Sequence, residues 1–490
     1  MNSSRTHQRA DLIRIATNSM TERGLEPEFS AQVHRQMASI TGPGVAAGAQ
    51  IQDLTRLLWC SIDNDDSLDL DQLTVCELLP QGALRWWVAI ADVDALVSKG
   101  SPIDNHAQTN TTSVYTAARI FPMLPERLST DLTSLNAGED RLAVVTEMVF
   151  NADGTFAGST VYRALVQNKA KLAYDAVSVW IDGKGALPGA AAAVPGLDLQ
   201  IRTQNEMAQK LRQRRYAAGS LEFQTFQPRA VFEGEKIVDI RQQEQNRARQ
   251  LIEEVMIATN GCTARYLAQQ GGASLRRVVR SPERWLRIVE VAKEHGDVLP
   301  TEPDPQALAS FLARRRKADP LRFPDLSLVI VKLMGSGEYV VESAGGPPIG
   351  HFGLTVRDYT HSTAPNRRFP DLITSRLLKA ALAGLPPPYS DAELGELARH
   401  CSRQEDAARK VERKMHKAEA AFLLQSRIGQ HFDAIVTGNT DGGAWIRLFV
   451  PPAEGRLATP GGGLKVGDKV RVKLVTTSVE HGFIDFVPGD

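Results

Sequence analysis

The segment from Cys60 to Leu73 constrains the fold most, because it combines crowded acids with apolar anchors. Five aspartates fall within nine consecutive positions, and the apolar residues among and beside them would fix the segment to a hydrophobic core. Carboxylates held close together repel one another, and a bound cation is the simplest compensation. The acids are Asp63, Asp65, Asp66, Asp69 and Asp71, and the apolar residues are Ile62, Leu68, Leu70 and Leu73.

Three of the five acids have a spacing that predicts a common site. Asp63, Asp69 and Asp71 are separated by even numbers of residues, so in extended backbone their side chains lie on one face. Gln72 would then point away. Carboxylate ligands with room for water suit Mg²⁺, or alternatively Mn²⁺, better than zinc, and such ions activate water and bind phosphate. We therefore expect these three aspartates to hold Mg²⁺.

Two other interpretations of the acidic segment compete with this one. Asp63, Asp65 and Ser67 begin with the spacing of an EF-hand calcium loop. However, Leu68 stands where that loop needs glycine, and Thr74 stands where it needs a bidentate acid. A purely structural acidic loop is the second alternative, and the segment taken alone leaves it open.

Composition narrows the class of protein. The 490 residues suffice for several domains, and Lys plus Arg and Asp plus Glu both number 57, so any nucleic-acid site must come from local charge. The sequence has no signal core and no uncharged apolar run of about 18 residues, so we expect a cytoplasmic protein with no membrane partner. The cysteines lack paired spacing and are expected to be reduced: Cys60, Cys76, Cys262 and Cys401.

The hydrophobic pattern predicts an α+β body preceded by a short module. Helical spacing over residues 9–40 precedes a Gly-Pro-Gly linker, which predicts a helical or winged-helix-like module at residues 1–48. Strand-like Leu84–Ala91 and helical Ala248–Tyr266 then occur in a mixed body. We assign residues 49–427 to this body.

The body is predicted to end in a long helix and to be followed by a small barrel. Apolar residues recur at spacings of three and four from Asp391 to Gln425, which favours an amphipathic helix packed on its own chain over a coiled-coil dimer. Short β patterns separated by glycines predict an OB-type barrel at residues 428–490. One face of a barrel strand would be basic, either as a surface for single-stranded nucleic acid or as an ordinary solvated face: Lys469, Arg471 and Lys473.

The acidic segment resembles the signature of the ribonuclease II and ribonuclease R (RNB) family, in which Thr-Ile-Asp is followed by a short spacer and Asp-hydrophobic-Asp-Asp-Ala. Further blocks follow in family order over roughly residues 52–385, and this shared order argues against coincidence. The resemblance implies an RNB catalytic domain with a C-terminal RNA-binding OB domain. The blocks are Val88–Val93, Gly100–Asp104, Ser113–Tyr115, Phe121–Glu126, Leu128–Ser129, Arg141–Ala143, Lys171–Asp175, Leu251–Glu254, His351–Gly353, Tyr359–His361 and Arg367–Asp371.

The resemblance also implies catalytic roles. Asp63, Asp69 and Asp71 would bind Mg²⁺ and organise the attacking water. Arg367 would stabilise the charge that develops on the scissile phosphate. These four residues are the catalytic candidates.

Five further residues would contact RNA, again by resemblance. Tyr115 and Phe223 would form an aromatic clamp on the terminal bases. Tyr174 and Glu253 would contact the terminal ribose, and Arg368 would bind RNA beside Arg367. Taken singly, each residue is typical of ordinary packing or of a solvated surface, and only the ordered set favours these roles.

The chain departs from the family at two places. Gln72 stands where the family usually has another aspartate, and an amide supplies no charge, so a metal should bind more weakly or differently. We predict that Gln72→Asp raises activity or tightens Mg²⁺ binding. Residues 363–366, Thr-Ala-Pro-Asn, replace the typical Thr-Ser-Pro-Ile, which alters the turn before Arg367.

The function implied by the resemblance is processive 3′-to-5′ hydrolysis of single-stranded RNA to 5′-mononucleotides with Mg²⁺. We expect a monomer with no obligate protein partner. One alternative is a catalytically attenuated RNA-binding protein of the same fold. Another is a metal-dependent hydrolase of a small phosphorylated metabolite, for which the barrel and the aromatic matches would have no use.

Overall fold

The structure is a computed structural model that describes most of the chain. The described residues are 8–45, 51–224, 228–242, 245–343, 345–346, 349–440, 443–458 and 464–489. The expected boundary between residues 48 and 49 lies outside them. Helices and strands are mixed through the body, as predicted for an α+β chain.

The strands of the described residues form a central sheet, three two-stranded ribbons and a closed barrel. In chain order they are β1 (Ile51–Asp53), β2 (Cys60–Asp63), β3 (Gln72–Leu78), β4 (Leu84–Ala91), β5 (Val114–Tyr115), β6 (Ile120–Phe121), β7 (Asp140–Phe150), β8 (Phe156–Gln167), β9 (Ala170–Ala173), β10 (Pro228–Glu233), β11 (Lys236–Gln242), β12 (Ser274–Val278), β13 (Glu338–Glu342), β14 (His431–Thr440), β15 (Gly443–Leu448), β16 (Glu454–Leu457), β17 (Lys469–Ser478) and β18 (Phe483–Pro488).

The helices cover the central sheet and connect it to the other parts of the chain. In chain order they are α1 (Gln8–Thr21), α2 (Ala31–Ser39), α3 (Pro102–Asn110), α4 (Tyr174–Ile181), α5 (Gly189–Ala192), α6 (Leu197–Ala217), α7 (Arg247–Gln269), α8 (Trp285–Glu294), α9 (Pro305–Ala318), α10 (Phe323–Met334), α11 (Phe369–Leu382) and α12 (Asp391–Gln425).

The central sheet is buried on both faces. Its seven strands lie in the order β1-β8-β7-β4-β3-β2-β9, with parallel pairing only at the two edges. Successive side chains of a strand point to opposite faces, so Trp86 packs into the core shared with α6 and α7, and Trp87 packs into the core shared with α11. Both faces therefore need helical cover, which explains the nearly continuous apolar run in β4.

The helix α12 begins and ends at the predicted residues. The Ser390 side chain accepts a hydrogen bond from the backbone N–H of Glu393 at 3.2 Å, which caps the first turn. The N-terminal half of α12 packs into the body core, and its C-terminal half packs with α1 and the barrel. The predicted packing onto its own chain is therefore observed. The predicted apolar face is buried, with Phe422 partly so: Leu394, Leu397, Cys401, Ala408, Val411, Met415, Ala418 and Phe422.

The barrel confirms the predicted OB-type fold. Its five strands close in the order β14-β15-β16-β18-β17. Along β17 the basic residues Lys469, Arg471 and Lys473 are exposed, whereas Val472 and Leu474 are buried. The alternation predicted from the sequence is therefore present.

The N-terminal module consists of two helices in its described part. The helix α1 packs against α12, and α2 packs against α3. Residues 8–45 contain no strand, so this stretch lacks the β-hairpin that a winged helix would need. No helix of the described residues is both long enough and apolar enough to cross a membrane. All four cysteines are free and buried.

A buried ionic cluster attaches α11 to α3 and the preceding loop. The Arg376 side chain, only 3 % exposed, donates to Asp94 at 2.8 Å and to the Tyr389 hydroxyl at 2.8 Å, and it lies 2.8 Å from Asp104. Removing one partner of such a cluster leaves a buried charge uncompensated.

We expect Arg376→Ala to destabilise the protein by about 3–5 kcal/mol, because buried Asp104 would lose its cation, whereas Asp94 would keep only Lys379. Urea denaturation followed by circular dichroism measures the effect as a lower midpoint. Arg399→Ala is the matched control, since Arg399 is exposed on α12 and should leave the midpoint unchanged. Equal midpoints for the two variants would contradict the prediction.

Candidate active site

The acidic segment forms the connection between the antiparallel neighbours β2 and β3. Asp63 is the last residue of β2, and Asp71 immediately precedes β3. Between them, the Leu70 N–H donates to the Ser134 hydroxyl at 3.0 Å, and that hydroxyl donates to the Leu68 carbonyl at 2.8 Å. These bonds fix the loop on both sides of Asp69 at one end of the sheet.

Asp71 is the most deeply buried of these acids. Its carboxylate is 2 % exposed and accepts the backbone N–H of Asn366 at 2.9 Å and the Nε–H of Arg367 at 3.3 Å. Burial raises the pKa of Asp71 to about 7, although the Arg367 guanidinium opposes this shift, and the neighbouring Asp69 adds to it. The anionic form of Asp71 is therefore costly in this structure.

The turn that carries Arg367 is held from inside the protein. Arg368 donates to Asp371 at 2.6 Å, and Asp371 also accepts the N–H of Ala364 at 2.8 Å. The Asn366 side chain accepts a hydrogen bond from the Thr133 hydroxyl at 2.5 Å. The altered turn thus still brings Arg367 to Asp71. Arg368 therefore braces this turn, and the RNA contact expected for it stays a prediction.

Asp69 lies beside Tyr115 at the wall of a cleft. The Tyr115 hydroxyl donates to Asp69 at 3.3 Å, and burial raises the pKa of Asp69, with a smaller contribution from the charge of Asp63. The strand that carries Tyr115 is held by α12. Glu412 accepts the N–H of Tyr115 at 3.0 Å, and Glu419 accepts the N–H of Ala117 at 3.1 Å.

Glu412 and Glu419 were missed by the sequence analysis. They lie two turns apart next to the apolar stripe of α12, and Glu419 is only 1 % exposed. A buried acid needs a polar partner. The position of these two glutamates beside the apolar stripe was therefore the feature of the sequence that could have identified them.

Asp63 lies at the other side of the acidic loop, near Tyr174. Its carboxylate accepts the Ser67 hydroxyl at 3.0 Å. The Arg249 guanidinium lies 4.4 Å from the centroid of the Tyr174 ring and donates to Asn64 at 2.8 Å. Burial raises the pKa of Tyr174, and the charge of Asp63 contributes to this shift. Tyr174 is therefore in the neighbourhood of the acids, as predicted.

These elements border a cleft of about 750 Å³. We call it the reaction cleft. Its lining includes three of the predicted residues: Asp69, Tyr115 and Arg367. Glu412, which accepts the N–H of Tyr115, also lines it.

Two predicted residues lie elsewhere. Phe223 packs against the core formed by α8, α9 and α10, and no ring contact joins it to Tyr115 in the described part of the chain. Glu253 lies 3.7 Å from Arg215, and neither Phe223 nor Glu253 lines the reaction cleft. The RNA contacts expected for these two residues therefore stay predictions.

The acids suit a metal ion in chemistry but do not enclose one in this arrangement. Among the residues described, no three Asp, Glu, His or Cys side chains form a cluster that could hold a metal ion. Instead, the charge of Asp63 acts on Asp69, and the charge of Asp69 acts on Asp71. Each of the three carboxylates accepts a hydrogen bond from the protein. The raised pKa values of Asp69 and Asp71 nevertheless mark a site where a cation would relieve repulsion and desolvation.

Comparison with known proteins decides the family. The RNB domain matches residues 51–384, and the RNase II-type exonuclease C-terminal S1 domain matches residues 430–489. This chain belongs to the RNB family. Both matches lie within the body and the barrel assigned from the sequence, and the boundaries at residues 48/49 and 427/428 remain predictions.

Curated relatives of this RNB protein are similar over most of its length. Ribonuclease R of Vibrio cholerae is 30% identical over 94% of this chain and 59% of its own, and ribonuclease R of Escherichia coli is 30% identical over 89% and 57%. The chain therefore spans about three fifths of the length of these relatives. Solved structures agree on the fold. The apo form of Mycoplasma genitalium RNase R has a TM-score of 0.87 at 23% identity and covers 98% of this chain and 78% of its own.

Glu419 gives a pH-dependent prediction. Burial raises its pKa from 4.5 to about 7. Well below pH 4.5 the carboxyl is protonated in the folded and unfolded states alike, so its ionisation does not lower the free energy of unfolding. As the pH rises toward 7, the unfolded chain releases this proton first, and stability falls. Glu419→Gln removes the cost and keeps an oxygen for Ala117.

The Gln variant should be more stable than the parent by about 2–3 kcal/mol near pH 8 and equally stable near pH 4. Denaturant unfolding at a series of pH values measures the difference. The control Glu396→Gln, at an exposed position of α12, should show no trend with pH. A difference that is constant with pH would refute the assignment of the effect to Glu419 ionisation.

Proposed function

We propose that this RNB protein is a 3′-to-5′ exoribonuclease that hydrolyses single-stranded RNA processively to 5′-mononucleotides. The observation that carries the proposal is a cleft lined by Asp69, Tyr115 and Arg367, with buried Asp71 bound to Arg367, in a chain that shares the RNB and S1 domains. The curated relatives are ribonucleases R, and Mycoplasma genitalium RNase R has been solved in complex with single-stranded RNA.

Each residue has a physical task in this proposal. Arg367 is 43 % exposed although it contacts buried Asp71, so its guanidinium can also face a phosphate in the cleft. The Tyr115 ring offers a stacking surface for a terminal base, and its hydroxyl bond to Asp69 fixes the position of that surface relative to the acids. Tyr174, near Asp63, is the candidate contact for the terminal ribose.

We further propose that Asp63, Asp69 and Asp71 hold Mg²⁺, with Mn²⁺ as a substitute. A bound divalent ion supplies an activated water and neutralises phosphate charge. The proposal rests on the oxygen donor set and on the raised pKa values of Asp69 and Asp71. A monomeric state and a cytoplasmic location remain predictions from the sequence.

A second candidate is a catalytically attenuated RNA-binding protein of the same fold. Gln72 favours it, because the amide removes one charge from the acidic set. Yeast Ssd1, described as a pseudonuclease, has a similar fold with a TM-score of 0.71 at 16% identity, so the fold alone does not guarantee cleavage.

Incubation of 5′-end-labelled RNA with the protein and Mg²⁺ separates the two candidates. Shortening of the labelled strand from its 3′ end with release of mononucleotides supports the exoribonuclease. Stable binding without shortening supports the attenuated protein. Hydrolysis of free nucleotides with no action on RNA would instead support the small-metabolite hydrolase.

We predict that Asp71→Asn lowers the cleavage rate by about 100-fold or more while RNA binding is retained. The amide keeps an acceptor for the Asn366 N–H but removes the negative charge at the reacting end of the cleft. Single-turnover cleavage and fluorescence anisotropy measure the two effects. The control Asp65→Asn removes an exposed charge from the same loop and should keep full activity. Full activity in Asp71→Asn would show that the site is wrongly assigned.

Gln72→Asp tests the metal proposal from the opposite direction. Gln72 is 8 % exposed, so a new carboxylate buried there should lower the melting temperature in EDTA. With Mg²⁺ the loss should be reversed, because tighter ion binding stabilises the folded state. Melting curves over a Mg²⁺ titration give this result without any activity assay. If the melting temperature of the variant does not change with Mg²⁺ concentration, the proposed ion binding at this site is wrong.

A further inference from the structure

The candidate site depends on the relative position of two chain segments that meet at Asp71. One is the acidic loop between β2 and β3, and the other is the turn that precedes α11. From that turn the Asn366 N–H and the Arg367 Nε–H both donate to the Asp71 carboxylate, at 2.9 Å and 3.3 Å. A small shift of either segment would lengthen both bonds. The contacts that fix one segment against the other are therefore important for the site.

A third segment contacts both of them. It consists of the buried residues 133–135, and we call it the bridging segment. Toward the acidic loop, the Leu135 N–H donates to the Leu70 carbonyl at 3.0 Å. Toward the turn, the Thr133 hydroxyl donates to the side-chain oxygen of Asn366 at 2.5 Å. Three consecutive residues thus hold the acidic loop and the turn at the same time.

The turn reaches the bridging segment through a side chain that the family does not usually have. Residues 363–366 read Thr-Ala-Pro-Asn, where the typical sequence is Thr-Ser-Pro-Ile. Ala364 and Pro365 have no polar side-chain atoms, and the Thr363 hydroxyl accepts a hydrogen bond from within the turn at 3.4 Å. In the described part of the chain, Asn366 is therefore the side chain of this tetrapeptide that hydrogen bonds to another segment.

Packing alone does not explain a buried asparagine at this position. Asn366 is 1 % exposed, and its Nδ2 atom has no hydrogen-bond partner among the described residues. The single proton of the Thr133 hydroxyl is also shared, because the Leu128 carbonyl lies 2.9 Å from the same oxygen. A buried donor without an acceptor lowers stability, and an apolar side chain of similar shape would avoid this loss. Such departures from good packing are typical of residues that serve function.

We propose that Thr133 and Asn366 are positioning residues, which fix the turn of Arg367 against Asp71 for the reaction. The lining of the reaction cleft, as far as the described residues form it, includes neither of them, so they act through Arg367 and Asp71. Misplacement of a reacting group by about 1 Å can slow a reaction about 100-fold. The kinetic consequence of this inference rests on the proposed exoribonuclease function, whereas its structural consequence does not.

Substitutions of similar shape separate positioning from stability. Thr133→Val and Asn366→Leu each remove the hydrogen bond and keep the branching of the side chain, and the double variant makes both partners apolar. Thr133→Ser keeps the hydroxyl. Thr259→Val is the matched control, because Thr259 is 1 % exposed and its hydroxyl donates to the Val255 carbonyl within α7 at 2.8 Å.

Melting curves establish the effect of each variant on stability. Thr133→Val should melt at a lower temperature than the parent, because the buried amide of Asn366 loses its remaining partner. The double variant should melt at the parental temperature or above it, since no unpaired amide remains. A bond that serves stability alone would let the double variant recover its activity together with its melting temperature. Positioning predicts that stability returns while activity stays low.

Single-turnover cleavage of a labelled RNA measures the reaction step, and fluorescence anisotropy in EDTA measures the Kd of the RNA. Thr133→Val, Asn366→Leu and the double variant should each react about tenfold more slowly than the parent, with a Kd within about twofold of the parental value. The double variant should be no slower than the single variants, because both substitutions remove the same bond. Thr133→Ser and Thr259→Val should keep the parental rate.

Hydrogen exchange measures the positioning without any reaction. In EDTA and without RNA, the backbone amides of residues 363–369 should exchange faster in Thr133→Val and in the double variant than in the parent. The reason is that Asp71 would hold the Asn366 N–H less firmly. Thr133→Ser and Thr259→Val should match the parent in this segment.

The inference is overturned if Thr133→Val keeps the parental cleavage rate and the parental exchange. A double variant that recovers both its melting temperature and its cleavage rate would also overturn it. If the parental protein binds RNA without cleaving it, the proposed exoribonuclease is refuted, and the exchange measurement alone then decides whether the pair positions the turn.

Discussion

The contact between Asp71 and the turn of Asn366 and Arg367 is the constraint on which the site depends. It joins residues nearly three hundred positions apart, and it places a buried carboxylate from the central sheet against a backbone N–H and a guanidinium that precede α11. A buried carboxylate needs such partners, and burial still raises its pKa to about 7. The sheet, the acidic loop and α11 must therefore be correctly assembled before the site exists.

The long helix α12 extends this constraint to the rest of the molecule. Its N-terminal half belongs to the body core, and its C-terminal half belongs to the core shared with the barrel and α1. Between the two, Glu412 accepts the N–H of Tyr115 in β5, and Glu419 accepts the N–H of Ala117 just after that strand. One helix thus fixes the distance between the reaction cleft and the barrel.

Periodic and ordered features could be predicted from the sequence, and contacts between distant side chains could not. The strand Leu84–Ala91 and the helix Asp391–Gln425 were predicted to the residue, because their patterns of buried and exposed positions are long and regular. Asp69, Tyr115 and Arg367 could be selected as site residues because their motifs occur in the same order as in the RNB family. Loops of irregular length determine the bracing role of Arg368, the hydrogen bond from Thr133 to Asn366 and the packing of Phe223 against its hydrophobic core. No local pattern encodes these contacts.

The even balance of 57 basic and 57 acidic residues conceals a local separation of charge. Acids dominate the reaction cleft, where their mutual repulsion is compatible with a cation, and bases dominate a second cavity between α10, α12 and the barrel. Pro228 and His416 line both cavities, so surfaces of opposite charge lie side by side. The net charge of the whole chain therefore could not reveal either surface, because only the fold gathers the charges into separate cavities.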